Sequence, residues 1–194
     1  MNPLPRTSPI LAALALAASP LAAQPQAQDE TPEMGERVAL ALASAQSAQG
    51  RSDNEGLARA LGVIARAGAR PLDGWKGDDP VPAWRALVPQ GGPEALAPLR
   101  GSPLGPGYRT GKAQPGSSDS FEQVFLSGKK ASIALSTPGD TPVTLQVLDA
   151  ERRPVCSTAD ARRACRWIPL FTQRYVIEVR NAGSRAAEYF LVVE

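Results

Sequence analysis

From Ser117 onward the chain alternates between apolar and polar positions with a period of two. Phe121-Glu122-Gln123-Val124-Phe125-Leu126 runs into the turn Ser127-Gly128-Lys129, and Ala131-Ser132-Ile133-Ala134-Leu135 resumes the strand pattern. Pro138-Gly139-Asp140 turns the chain again. Val143, Leu145 and Val147 then alternate with Thr144 and Gln146, as Tyr175, Ile177 and Val179 do with Val176, Glu178 and Arg180. Asn181-Ala182-Gly183-Ser184 supplies a turn before Tyr189, Leu191 and Val193. Short alternating strands with closely spaced turns predict a mainly β protein. Its C-terminal part, residues 117–194, should form a small antiparallel β-sandwich, jelly-roll-like, with one face of each sheet buried and the other wet.

Upstream the period is helical. Thr31-Pro32-Glu33 reads as a helix start, with Met34, Val38 and Leu42 on one face. Ser52-Asp53-Asn54-Glu55 fits a capping box, Leu57, Leu61 and Ile64 repeat at helical spacing, and Gly68 supplies a stop. Residues 24–70 are therefore a helical N-terminal region with a thin, Ala-rich core that needs the rest of the chain for support. Residues 71–116 hold nine prolines and nine glycines and read as a Pro/Gly-rich connector, with a short helical candidate at Pro93 to Leu99. Trp75 and Trp84 are out of place in a solvated spacer, so this segment is expected to pack in extended form on a domain surface.

The first 23 residues read as an address. Arg6 stands in a start without acids, Ile10 to Ala18 is unbroken apolar sequence, and Ala22-Ala23 precedes the polar Gln24-Pro25-Gln26. That is the three-part pattern of a secretory signal peptide cleaved after Ala23. No second apolar run is long enough to span a bilayer, so the mature form is expected without a transmembrane segment, in the periplasm or secreted. Cys156 and Cys165 are the only cysteines, and in an exported chain an even number favours a disulfide.

Charge and chemistry narrow the functional classes. The chain has 21 basic and 19 acidic residues, a formal +2, and loss of Arg6 with the signal peptide leaves +1, so no specific nucleic acid is implied. The absence of histidine removes Ser-His-Asp and Cys-His catalysis and His-ligated metals. Ser127-Gly128-Lys129-Lys130 satisfies an S-x-x-K string and Ser52-Asp53-Asn54 an S-D-N string, but their order is reversed from that of serine acyl transferases. One reads as a hairpin turn and the other as a helix cap. Pro106 stands where a phosphate loop ending at Lys112 needs glycine, and Ala113 replaces its hydroxyl. Asp73, Asp78 and Asp79, like Asp149 and Asp160, lack the further spaced oxygens that calcium needs, so no metal ligand and no cofactor are expected. The one local charge anomaly is basic. Arg152, Arg153, Arg162, Arg163 and Arg166 flank the cysteines and could contact a polyanion or an acidic protein surface; Asp149, Glu151 and Asp160 interleave with them, so the alternative is a solubilising edge. Trp167, Ile168, Leu170 and Phe171 read as core or loop packing.

The order Phe121, Phe125, Gly128, Ile133, Leu135, then Val143-Thr144-Leu145-Gln146-Val147-Leu148-Asp149, Tyr175-Val176-Ile177-Glu178-Val179, Asn181 and Tyr189-Phe190-Leu191-Val192-Val193 resembles the bacterial pre-peptidase C-terminal domain family over residues 117–194. That resemblance implies a small secreted β-sandwich that assists exported hydrolases in secretion, localisation or substrate contact. The expectation is thus an exported, non-enzymatic binding or accessory protein whose partner is an envelope or extracellular protein or a polyanion. The rival classes are a secreted hydrolase with a Ser/Lys or Asp/Glu site and a structural envelope component.

Overall fold

A computed structural model describes residues 32–88, 105–139, 141–158 and 164–194. The proposed signal peptide, the helical candidate at Pro93 to Leu99, Asp160, Arg162 and Arg163 lie outside the described residues. Among those described, no helix is long and apolar enough to cross a membrane.

Helix α1 (Met34–Gly50) begins later than the Thr31-Pro32 signal suggests, with Glu33 at the N-cap. The Glu33 amide donates to the Glu36 carboxylate at 3.0 Å and the Gly35 amide to that of Glu194 at 3.1 Å. Carboxylates thereby satisfy amides that a helix start leaves open. Helix α2 (Asn54–Arg66) is capped by Asp53 rather than Ser52, because Ser52 occupies the left-handed region (φ 57°) in the tight turn. Asp53 Oδ1 accepts from the Gly56 amide at 2.8 Å. Gly68 ends the helix at φ 63°, and the Ala69 amide reaches back to the Ile64 carbonyl.

The strands are β1 (Arg70–Pro71), β2 (Gly107–Ala113), β3 (Ser118–Phe125), β4 (Ala131–Ser136), β5 (Val143–Leu148), β6 (Pro154–Ser157), β7 (Ala164–Trp167), β8 (Gln173–Asn181) and β9 (Ala187–Val193). They form two sheets in the orders β1-β2-β9-β4-β7 and β3-β8-β5-β6. Apart from the short parallel pair β1–β2, every pairing is antiparallel. Strands β2 to β9 have the order of an eight-stranded jelly roll, in which most consecutive strands belong to opposite sheets. Among the described strands only β5 and β6 form a hairpin, so Ser127–Lys130 is an arch between sheets and not the hairpin turn expected from sequence.

The connector departs most from expectation. Residues 71–116 hold helix α3 (Val81–Leu87) and the whole of β2, so the sandwich starts at Gly107 rather than near Ser117. Glycine hid that strand, and packing requires it: a Cβ on Gly111 would lie 2.3 Å from the Tyr189 ring in the register partner.

Helices α1, α2 and α3 cover the outer face of the five-stranded sheet. Val38, Leu42, Leu57, Leu61, Ile64 and Trp84 pack with Tyr108, Ala134, Phe190 and Val192. The rings of Trp84 and Phe190 are 6.0 Å apart. Between the sheets, Ile133, Leu145, Val147, Ile177, Val179, Tyr189 and Leu191 fill a second core. The expectation of one wet face per sheet therefore fails for β4 and β9, which are buried on both sides. Each large apolar side chain buried contributes about 1.5–3 kcal/mol. That is how two helices too marginal to stand alone become stable on the sheet.

Candidate functional site

Strand register brings three loops to one end of the sandwich. Phe125, the last residue of β3, lies opposite Gln173, the first of β8, and Leu148 at the end of β5 lies opposite Val176. The β3–β4 arch (126–130), the β7–β8 loop (168–172) and the β5–β6 turn (149–153) therefore share that end. The first two are fastened together. The Gly128 amide donates to the Pro169 carbonyl at 2.9 Å, the Ser127 amide to Thr172 Oγ1 at 3.0 Å, and Ser127 Oγ to the Leu170 carbonyl at 2.7 Å. Beneath them Phe125, Trp167 and Tyr175 stack edge to face or tilted, with centroids 4.8 to 5.7 Å apart.

Beside the exposed Ser127, Lys129, Lys130 and Thr172, these loops present four large apolar side chains. Leu170 is 81% exposed, Phe171 72%, Ile168 64% and Leu126 58%. Single exposed apolar residues need no explanation, but four large ones on two joined loops form a patch. The expectation that Ile168, Leu170 and Phe171 are packing residues is overturned, and only Trp167 of that group is half-buried. Pro169 was the available signal, since proline between strands marks a loop and leaves its apolar neighbours without a ladder to join.

Of the five arginines, the three described ones do not share one edge. Arg152 sits in the β5–β6 turn at φ 64°, with its guanidinium 3.8 Å from Glu178. Arg153 pairs with Asp149 and Glu151, both at 2.9 Å. The Arg153 amide and then its guanidinium, together with the Glu151 amide, hold the Asp149 carboxyl below its ordinary value despite partial burial. Arg166, by contrast, leaves the outer face of β7 toward α1 and meets Glu36 at 2.7 Å and Glu33 at 3.5 Å. Lys130 also hydrogen-bonds Glu33 and, with Arg166, lowers the Glu33 pKa. Arg166 thus fastens the helix layer to the sandwich.

The disulfide is present between Cys156 and Cys165, with Cα atoms 5.8 Å apart. Cys156 belongs to edge strand β6 of one sheet and Cys165 to edge strand β7 of the other, so the bond closes the side of the sandwich.

Three of the acids considered for calcium, Asp73, Asp79 and Asp149, have other partners. Asp73 pairs with Arg70 at 2.5 Å, and Asp79 Oδ1 accepts from the Val81 amide at 3.0 Å and from the Tyr108 hydroxyl at 2.9 Å, fixing the start of α3 to β2. Among the described residues no group of three potential ligands surrounds a common point. A second buried tyrosine, Tyr189, donates to Asp119 across the two sheets, with Arg109 3.6 Å from the same carboxylate and its guanidinium 4.0 Å above the Phe121 ring. Burial first, and then the neighbouring carboxylate, raises the pKa of both Tyr108 and Tyr189. The Ser127-to-Lys130 string is likewise occupied, its hydroxyl by Leu170 and its ammonium by Glu33.

No family model matches the chain, and no curated protein matches it in sequence. Solved structures with a similar fold include a periplasmic lysozyme inhibitor of g-type lysozyme from Aeromonas hydrophila, at 12% identity and a TM-score of 0.41 over 46% of this chain and 84% of that one. The pre-peptidase C-terminal domain of a collagenase from Bacillus anthracis matches at 13% identity and 0.41, over 46% of this chain and 89% of that one. The Yersinia pseudotuberculosis-derived mitogen matches at 13% and 0.40, over 45% of this chain and 83% of that one. The resemblance to the pre-peptidase C-terminal family stands at that level, and neither family membership nor function transfers to this chain from such distances.

Proposed function

We infer that the chain is an exported, non-enzymatic binding module that docks through the loop end formed by residues 126–130 and 168–172. The observation that carries this reading is the patch of Leu126, Ile168, Leu170 and Phe171, held outward by loops whose polar groups bond to one another. Preorganised loops lose little conformational entropy when they bind. The signal-peptide pattern and the disulfide support an oxidising compartment outside the cytoplasm. The partners already held by Ser127 and Lys130 favour docking over Ser/Lys hydrolysis. The test compares the mature protein with its Leu170→Ser/Phe171→Ser variant for retention on an immobilised bacterial envelope fraction, beside an esterase, peptidase and glycosidase panel. Retention by the wild type alone, at equal melting temperatures, is expected. Equal retention of both proteins, or turnover of any panel substrate by both, would overturn the reading.

A further inference from the structure

We propose that a cleft between segment 75–80 and the end of β2 binds a short, neutral saccharide, at a site separate from the docking loops. Gln46 of α1, Trp75 and Asp78 of the segment, Thr110 and Lys112 of β2 and Glu188 of β9 line this cleft, whose volume is about 380 Å³. That is the size of a small-molecule site. The cleft and the docking loops lie toward opposite ends of β9. Lys112 is in register with Glu188 near the start of β9, whereas Val193 at its end pairs with Ile133, shortly after the 126–130 arch.

The walls are held in place by the fold itself. The Trp75 indole lies across Gly77, where a Cβ would stand 2.5 Å from Nε1, and the Tyr189 ring lies against Gly111, where a Cβ would stand 2.3 Å from it. The Thr110 hydroxyl donates to the Asp78 carbonyl at 3.3 Å, and the Val81 amide and Tyr108 hydroxyl donate to Asp79, which ties segment 75–80 to β2 and α3. Walls fixed in this way lose little conformational entropy on binding. Among the described residues, the side chains of Gln46, Lys112 and Glu188 have no hydrogen-bond or ion-pair partner. Their donors and acceptors are therefore open to a ligand.

The chemistry of the lining selects the class of ligand. Asp78 and Glu188 repel an anion, and Lys112 in the same cleft repels a cation. An apolar ligand would strip water from carboxylates, an amide and an ammonium without replacing their hydrogen bonds. A neutral polyhydroxylated ligand uses them all, because its hydroxyls donate to the carboxylates and accept from the ammonium and the amide N–H. The half-buried indole of Trp75 supplies the flat apolar surface on which the C–H face of a pyranose ring stacks.

The experiment titrates the mature protein with maltose, cellobiose, lactose and N,N′-diacetylchitobiose, with choline chloride and sodium phosphate as charged controls. Binding is read by calorimetry and by the NMR signal of the Trp75 indole N–H. Saturable, millimolar binding of at least one disaccharide and of neither control is expected. Trp75→Ala should weaken it by about tenfold or more, and Glu188→Gln by about threefold or more. Glu188 is exposed, so its variant decides the matter even if Trp75→Ala fails to fold. Leu170→Ser/Phe171→Ser should bind the sugar as the wild type does. The proposal is overturned if none of the four disaccharides binds, if folded Trp75→Ala or Glu188→Gln binds as tightly as wild type, or if choline or phosphate binds in their place. Sugar binding lost with Leu170 and Phe171 would overturn it too, by placing the sugar at the loops. The docking reading is tested separately by envelope retention and does not depend on this cleft.

Discussion

Replacing Cys156 and Cys165 by alanine tests how the sandwich is held shut. The bond spans a sequence separation of nine and joins the edge strands of the two sheets. Chain-entropy reasoning for a loop of that length gives about 2.6 kcal/mol of stabilisation, acting through the unfolded chain. For a domain of this size each kcal/mol moves the melting temperature by about 2–4 °C, so the double variant should melt about 5–10 °C lower. Alanine is chosen over serine because Cys165 is fully buried, and a hydroxyl there would add a desolvation cost unrelated to the bond. Calorimetry of the variant, and of wild type with and without reductant, separates the bond from the side chains: reduction alone should reproduce most of the drop. Two reactive thiols in the native exported protein, or a melting temperature that reductant does not move, would refute the reasoning.

Two further substitutions probe the closely packed places. Gly111→Ala puts a methyl 2.3 Å from the Tyr189 ring, whose hydroxyl is held by Asp119, so the ring cannot yield freely; overpacking should cost about 1–3 kcal/mol, read as a lower urea midpoint, and an unchanged midpoint would contradict the register. At alkaline pH, Tyr108 and Tyr189 should stay protonated in the native fold. Because their folded pKa values lie above the unfolded value of about 10, the stability they contribute is fully present below that pH and lost as pH rises through the folded values. Near-ultraviolet titration should show both ionising only together with unfolding, and Tyr189→Phe should move that transition to higher pH. Ionisation of both with the fold intact would count against their burial.

Period-two sequence was sufficient for the parts of the sandwich where neighbours on the chain repeat one environment. Strands β3, β4, β5, β8 and β9 fall where Phe121 to Leu126, Ala131 to Leu135, Val143 to Val147, Tyr175 to Val179 and Tyr189 to Val193 alternate. The helical faces of Leu57, Leu61 and Ile64, the Gly68 stop and the cysteine pair were legible for the same reason: each is set by local spacing or by a bond only two residues can make. Strand β2 was not legible, because its Gly111 answers to the ring of Tyr189, 78 positions away. Nor was the fate of the arginines. Arg152 and Arg153 stay in the β5–β6 turn, whereas Arg166 lies on β7 of the other sheet, where alternation sends Cys165 into the sandwich core and Arg166 out to Glu33 and Glu36.

The candidate surface shows the same division. The sequence by itself determined that residues 168–171 are apolar and interrupted by proline, which marks a loop but leaves open whether its apolar neighbours are covered. Only the jelly-roll winding decided that. It sends β3 and β4 into opposite sheets, brings the arch between them against the β7–β8 loop, and leaves Ile168, Leu170 and Phe171 beyond the last ladder positions. Whether an apolar side chain is buried depends on which other segments reach it, and that is fixed by long-range pairing rather than by local pattern.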